Sequence, residues 1–252
     1  MYLAATTLDD LLLKTFRRIL QSGVRVKASK GWNTELPGVL LELTNPLARL
    51  SRTETKGTVF SCLGETLWYL AKSNELKFIE YYLKGYDKFS DDKKTLHGAY
   101  GPRMFRMRSG VDQIDNVIEL LRRKPSTRQA VIQLFNAEDI LKDYSDIPCT
   151  CTIQFLVRKR HLHAMTYMRS NDAFVGLPHD IFAFTFLQEI FARSIGARLG
   201  TYKHAVGSVH IYDDDLVKVR KFISEGWQAR IAMPEMPAGN PSKHLETSAC
   251  RE

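Results

Sequence analysis

The sequence predicts an α+β fold, and three observations predict it. Two stretches carry apolar residues at helical spacing: 7–21, through Leu8, Leu11, Leu12, Phe16 and Ile19, and 111–123, through Val111, Ile114, Val117, Ile118 and Leu121. A third stretch, 178–195, is apolar all round and reads as a helix at the centre of the molecule. Beside these lie runs with strand character, TIQFLVR, HLHAMTYM and TYKHAVGSVHIY.

The elements follow in chain order. The 7–21 helix has Asp9 and Asp10 in its first turn, where acidic groups favour the helix dipole, and Gly23 ends it. VRVKA reads as a short strand, SKGWNTELPG as a polar loop, and VLLELT as a second strand broken by Asn45-Pro46. Residues 62–84 read as two helical pieces parted near Ser73-Asn74, and 85–110, with little periodicity, as a long loop. After the 111–123 helix, AVIQLFN reads as a strand and AEDILKDY as a short helix. TIQFLVRKRHLHAMTYMRS reads as two strands around a basic turn; 178–195 is the apolar helix, TYKHAVGSVHIY is strand-like, and 213–224 is a last helix. From 234 onward Pro, Gly, Ser and charge predict an irregular tail over 234–252. No repeat, low-complexity block or linker interrupts the body, so 1–252 reads as a single catalytic domain.

Composition bounds the function. Hydrophobic residues at 44% and charged residues at 25% are the mix of a soluble globular protein. A net charge of +8 favours anionic partners. The basic residues are scattered, and clusters such as Arg122-Arg123-Lys124 lack interleaved aromatics, which argues for a solvated surface rather than a nucleic-acid platform. The N-terminal stretch has an acidic pair where a secretory signal has a basic region, and no run approaches membrane-spanning length, so a cytoplasmic protein is expected. Cys62, Cys149, Cys151 and Cys250 form neither a disulfide framework nor a metal set, and no metal is expected.

A few polar residues stand out. A lone cysteine is most often a small buried hydrophobe. Cys149, however, follows Pro148 at the mouth of a strand, with arginines available to favour its thiolate, and a soft thiolate suits conjugate addition to an electron-poor ring carbon. Arg169 and Ser170 pair forked donors with a hydroxyl, as a phosphate requires. Glu65 sits among Leu63, Leu67, Trp68 and Leu70, where a carboxylate is costly unless used or paired. Asp180 is either the N-cap of a helix starting at Ile181 or a working carboxylate.

The order Pro148-Cys149, Arg169-Ser170-Asn171-Asp172, Gly176-Leu177-Pro178-His179-Asp180 and His210-x-Tyr212 resembles the thymidylate synthase family, including its relatives the cytidylate hydroxymethylases. The resemblance runs from the Lys30 loop through Tyr212. It implies a large mixed sheet flanked by helices, with sheets packed back to back in a homodimer. It implies a pyrimidine nucleoside monophosphate as substrate and 5,10-methylenetetrahydrofolate as co-substrate. Cys149 then matches the nucleophile that attacks C6, and Arg169 and Ser170 match the residues that hold the 5′-phosphate. Arg128 resembles a residue that reaches the phosphate of the neighbouring subunit, with Gln129 in place of a second arginine. Lys30 falls where a flexible-loop arginine clamps the phosphate, and Asp172 matches the aspartate that contacts the pterin. Glu65 and Tyr100 match the organisers of water and proton transfer, and Glu65 also borders the folate. His210 and Tyr212 match the pair on the sugar hydroxyl, with Ser208 replacing the usual aspartate nearby. Asn171 replaces a cysteine common in methylating members, a minor departure.

Asp180 is the decisive departure, because methylating members carry asparagine there. An asparagine amide matches uracil O4 and N3–H. A carboxylate accepts from the cytosine amino group and from N3–H once that nitrogen is protonated, and it repels O4. Family members with aspartate there are typically hydroxymethylases. The segment KGYDKFSDDKKTLHGAY lacks the tryptophans of methylating relatives, and NPSKHLETSACRE matches no closing tail of theirs. The expected activity is 5-hydroxymethylation of dCMP or CMP, with deoxyribose favoured by the likeness of Ser170, His210 and Tyr212 to deoxynucleotide-using members. The alternatives are a C5 methylase on dUMP or a cytidylate, and a non-catalytic nucleic-acid-binding protein on the same scaffold. A Cys–His hydrolase would draw on His161, His163, His204 or His210, whose spacing lends it no support.

Overall fold

A computed structural model describes residues 1–28, 30–51, 53, 55, 58–226, 231–237 and 239. The first half of the chain forms β1 (Tyr2–Ala5), α1 (Leu8–Ser22), β2 (Val24–Ala28), β3 (Gly31–Leu43), α2 (Val59–Leu70), α3 (Leu76–Tyr82), α4 (Tyr100–Phe105), α5 (Met107–Gly110) and α6 (Gln113–Arg123). The second half forms β4 (Val131–Gln133), β5 (Thr150–Arg158), β6 (His161–Met168), β7 (Asn171–Asp172), α7 (Gly176–Ser194), β8 (Arg198–Tyr212) and α8 (Leu216–Ser224). Three 3-10 turns, Tyr86–Phe89, Ala137–Ile140 and Asp213–Asp215, complete the described structure.

The strands form one mixed sheet in the order β1-β3-β8-β6-β5-β4, with β2 paired to β3 and β7 to β8. The β1–β3, β6–β8 and β7–β8 pairs are parallel and the rest antiparallel. Lys159 and Arg160, both at positive φ (48° and 62°), make the tight turn between β5 and β6. The stretch expected as a polar loop is instead the first half of β3. Its backbone is paired on both sides, Glu35 with Val24 of β2 and with His210 of β8, so a ladder to distant residues overrides its polar composition.

Helices cover one face of this sheet. Thr7 caps α1 by accepting the Asp10 N–H at 3.2 Å, and the predicted stripe Leu8, Leu11, Leu12, Phe16 and Ile19 is wholly buried. Asp112 caps α6 through the Asp115 N–H, which leaves Val111 outside the helix and exposed. The 85–110 segment is less irregular than its composition suggests, because α4 and α5 bury Met104, Phe105 and Met107. AEDILKDY forms only the turn Ala137–Ile140.

α7 is the central helix. It packs on β6 and β8 and, on another side, against α2, and its Phe191 ring stacks on Phe155 with centroids 4.3 Å apart. Burying one such ring is worth about 1.5–3 kcal/mol. α7 begins at Gly176, so Asp180 lies inside the helix and does not cap it; the entry is held by Asp172, whose Oδ1 accepts the N–H groups of Phe174 and Val175. On β6, Leu162, Ala164, Thr166 and Met168 face the core while Met165 and Tyr167 stand exposed on the other face of the sheet.

The described part of the expected tail has no regular structure, yet it is tied down: the Met233 N–H donates to Leu47 O, and the Met236 N–H to Glu189. Residues 240–252, with Cys250, lie outside the described residues. Among the described residues Cys149 and Cys151 are free thiols, no helix is long and apolar enough to cross a membrane, and no cluster of three or more His, Cys, Asp or Glu could hold a metal.

Candidate active site

Cys149 is half-buried just before β5, and its carbonyl accepts the Arg169 N–H at 2.8 Å. The Arg169 guanidinium holds the same loop from the other side, donating from Nε to Pro148 O and from Nη2 to Ile147 O, both at 3.0 Å. Arg169 therefore braces the loop of the thiol through Nε and Nη2. Its backbone comes so close to β8 that a Cβ on Gly207 would sit 2.7 Å from Arg169 O, so only glycine fits there. Ser170 follows, half-buried, at the entry to β7.

The expectation of an activated thiolate is not met in the free protein. Burial pushes the Cys149 thiol above its ordinary value; Arg169 and Lys30 pull it down, and Asp180 and Asp146 push it up. Burial wins because the four nearby charges oppose one another. Lys30 sits at the β2–β3 turn with its ammonium 4.2 Å from the Phe89 ring centroid.

Glu65, on α2, is paired: Oε1 accepts from the Tyr69 hydroxyl at 2.7 Å and from the Tyr86 hydroxyl at 3.3 Å. Tyr100, at the start of α4, accepts from both the Thr150 N–H (3.1 Å) and the Thr150 hydroxyl (2.9 Å), which leaves its own proton free to donate. Burial raises the phenol pKa of Tyr69, Tyr86 and Tyr100 well above normal, with Asp180 adding to each, so all three stay protonated donors.

Asp180 is 8% exposed. Its carboxyl is pushed well above the usual carboxylate range, first by burial and then by Glu65, with Asp172 adding and a hydrogen bond from Asn171 opposing. Asn171 Nδ2 lies 3.1 Å from Asp180 Oδ2 and 2.9 Å from His204 Nε2, and His204 Nδ1 lies 2.8 Å from the Tyr202 hydroxyl. His210 and Tyr212 meet edge to face at 4.9 Å at the end of β8, beside Asp172. Burial lowers the His210 pKa against the pull of Asp172, and raises that of Tyr212. The Ser208 hydroxyl donates to Glu35.

The sequence-predicted residues Lys30, Glu65, Tyr100, Cys149, Arg169, Ser170, Asp172, Asp180, His210 and Tyr212 thus gather around the ends of β5, β7 and β8 and the start of α7. Arg128 does not join them. It lies before β4, where its carbonyl accepts from Gln154 Nε2 at 2.8 Å, and Gln154 is five residues along β5 from Cys149, roughly 16 Å at about 3.3 Å per residue. Sequence reasoning missed Tyr69, Tyr86, His179 and the contacts of the Asn171 amide with Asp180 and His204. His179 links α7 to α2: Nδ1–H donates to Val175 O at 2.8 Å, so Nε2 accepts from Ser61 Oγ at 2.9 Å. Of the four histidines considered for a hydrolase, His161 and His163 pair near the far end of β5 and His204 is sealed beneath Asp180. A separate cavity of about 440 Å³, lined by His97, Arg103, Arg106 and Tyr144 among others, includes none of the gathered residues.

Comparison with known proteins gives a family match: a model of the thymidylate synthase family matches residues 12–248. The chain is 29% identical over 217 residues to the thymidylate synthase of Buchnera aphidicola subsp. Baizongia pistaciae (strain Bp), covering 84% of this chain and 82% of that protein. It is 30% identical over 217 residues to the deoxyuridylate hydroxymethyltransferase of Bacillus phage SP01, covering 81% of this chain and 57% of the phage protein. It is 31% identical over 205 residues to the protein of the same name from Delftia phage PhiW-14, covering 76% of this chain and 56% of the other. The chain therefore spans little more than half the length of the two phage proteins.

Proposed function

This chain belongs to the thymidylate synthase family, and from that premise we propose that it is a pyrimidine nucleotide 5-hydroxymethyltransferase acting on a cytidylate, dCMP or CMP. Its co-substrate is 5,10-methylenetetrahydrofolate, which supplies a one-carbon unit at the oxidation level of formaldehyde. The residues fit a folate in one respect: Asp172 spends Oδ1 on the turn into α7, which leaves Oδ2 for the amino and N–H donors of a pterin.

The observation that carries the reading is Asp180, a buried carboxyl raised well above its usual range, at the position where methylating relatives carry asparagine. As a neutral acid it offers a donor to cytosine N3 and an acceptor to the amino group. Attack of Cys149 Sγ on C6 moves electron density onto N3, and the Asp180 proton moves there, leaving a carboxylate that accepts from both ring donors. The thiol proton passes to the Tyr100 and Glu65 network. C5 would bond to the one-carbon unit and lose its hydrogen as a proton, with tetrahydrofolate leaving on the electrons of its nitrogen–carbon bond; water would then add to the exocyclic methylene so formed, and Cys149 would depart as the thiolate. Tyr86 supports hydration over reduction: it stands in the segment that lacks tryptophan and spends its hydroxyl on Glu65, the proposed organiser of water.

A second reading keeps the chemistry and changes the base: two relatives are named deoxyuridylate hydroxymethyltransferases, which favours dUMP. Asp180 argues for cytosine. A homodimer is part of the proposal: Arg128 stands apart from the residues gathered around its own Cys149, and Met165 and Tyr167 leave apolar surface on the open face of the sheet. Mixing inactive Arg128→Ala and Cys149→Ala proteins should then restore activity in hybrid dimers.

The test is tritium release from C5-labelled dCMP, CMP and dUMP with methylenetetrahydrofolate, followed by mass analysis. Hydroxymethyl on a cytidylate, with release lost in Cys149→Ala by at least about 10³-fold, is the expected result. Asp180→Asn should shift preference toward dUMP by about 10²-fold, the worth of two mismatched buried hydrogen bonds. A methyl product, or release from dUMP alone in the wild type, overturns the reading.

A further inference from the structure

We propose that Asn171 is a positioning residue for base selection: its amide, braced by His204 and Tyr202, holds Asp180 Oδ2 as an acceptor and so fixes which carboxyl oxygen offers a proton to the pyrimidine. The proposal rests on the reading of Asp180 as the group that meets the base.

A neutral carboxylic acid has one donor and one acceptor, and so do the recognition edges of cytosine and of uracil, in opposite order. An acid free to move its proton between its two oxygens fits either base. Selection therefore needs something that tells Oδ1 from Oδ2, and Asn171 is in place to do so. Its Nδ2 can only donate, and it lies 3.1 Å from Oδ2, which makes Oδ2 an acceptor and leaves the proton to Oδ1.

The amide is itself held in that orientation. Nδ2 also lies 2.9 Å from His204 Nε2, which must then accept. His204 is fully buried, and burial lowers its pKa to about 3, so it is neutral and carries one ring proton. With Nε2 accepting, that proton is on Nδ1 and donates to the Tyr202 hydroxyl at 2.8 Å. A reversed amide would set its oxygen against Met168 Sδ, which lies 3.0 Å from Nδ2, and would require His204 and Tyr202 to exchange their donor and acceptor roles as well. The chain Tyr202–His204–Asn171–Asp180 runs from β8 through β7 to α7 and so depends on the pairing of β7 with β8. Asn171 Oδ1 is buried with no hydrogen-bond partner, while Nδ2 faces three acceptors, Asp180 Oδ2, His204 Nε2 and Met168 Sδ at 3.0 Å, so the amide accepts a cost to keep its donors on this side. Among the described residues Asn171 is the side chain hydrogen-bonded to the Asp180 carboxyl; Glu65, Asp172, Cys149 and the phenols of Tyr69, Tyr86, Tyr100 and Tyr202 interact with it through charge.

The experiment compares wild type, Asn171→Cys, Asp180→Asn and the double variant. Cysteine is the residue common here in methylating members, and it removes the amide donor. Binding of dCMP, CMP and dUMP without folate, and kcat/KM with it, are measured across pH. Asn171→Cys should cut the preference for cytidylate over uridylate by about tenfold. Loss of a donor to the carboxyl should also move to higher pH the limb of the profile that Asp180→Asn abolishes. In the Asp180→Asn background the second substitution should leave base preference unchanged. Equal losses in both backgrounds, or an unmoved preference and pH limb, overturn the proposal in favour of a packing role. If Asp180→Asn itself leaves base preference untouched, the reading of Asp180 fails and the proposal with it, a different result from failure of the Asn171 step alone. Asn171→Ser, whose hydroxyl is too short to reach Oδ2, makes the same measurement if the cysteine variant does not fold.

Discussion

Helix α7 buries two carboxylates and treats them in opposite ways. Glu189, 1% exposed, faces the equally buried Arg49, whose guanidinium also donates to Thr185 O at 3.0 Å and lies 5.2 Å from the Phe186 ring centroid. A second donor, the Met236 N–H, meets Glu189 Oε1 at 2.7 Å. Asp180, two and a half turns earlier, has an amide beside it, phenols around it and two further carboxylates, Glu65 and Asp172, raising its pKa. One helix thus holds a carboxylate whose charge is matched and one whose charge is not. The matched pair joins the 231–237 segment to the helix. Buried groups left unmatched are the better candidates for function.

The contrast can be tested in order of expected effect. Arg49→Met should strand a buried charge at Glu189 and lower stability by about 3–5 kcal/mol in denaturant unfolding, without altering base preference. A loss much below 1 kcal/mol would mean that Glu189 is neutral or hydrated and that the two carboxylates are alike. Asp180→Asn should do the reverse. Because the folded protein raises the Asp180 pKa above its unfolded value near 3.8, the native state binds the extra proton and stability falls as pH rises through the interval between the two values. The variant lacks that fall, so its stability relative to wild type should grow as pH rises above 4; a constant difference would show Asp180 to be ionised and compensated. Cys149 extends the comparison to a thiol. Its alkylation by iodoacetamide should keep rising beyond pH 9, because burial outweighs Arg169 and Lys30. The smallest effect belongs to Tyr86→Phe, which removes one of two donors from Glu65 and should lower kcat by about threefold to tenfold, the worth of about 1 kcal/mol.

Much of the fold was legible because its rules are local. The stripe at Ile114, Val117, Ile118 and Leu121 is the buried face of α6, and the apolar run around Phe184 and Phe191 is the central helix. The misreadings have a common cause. The polar residues of β3 look like a loop until their partners in β2 and β8 are known, and Asp180 looks like an N-cap until Asp172 is seen to hold the helix entry. In the site, Cys149, Glu65, Arg169 and Asp180 announce themselves through residue type and motif order. Tyr69 and Tyr86 give no such signal, because a tyrosine beside apolar residues is ordinary core until a carboxylate is found at its hydroxyl.

The amino-acid sequence alone determined the mix of helices and strands, the family motifs, and a carboxylate where a base-reading amide was expected, since each follows from residue type and near-neighbour spacing. Only the tertiary structure decided the condition of those groups. Burial and opposing charges raise the Cys149 thiol above its ordinary value, two phenols pair Glu65, and the amide of Asn171, which looked like a minor departure, lies between Asp180 and His204. Protonation and hydrogen-bond direction depend on desolvation and on partners brought together by strand pairing, and neither is written in the order of the chain.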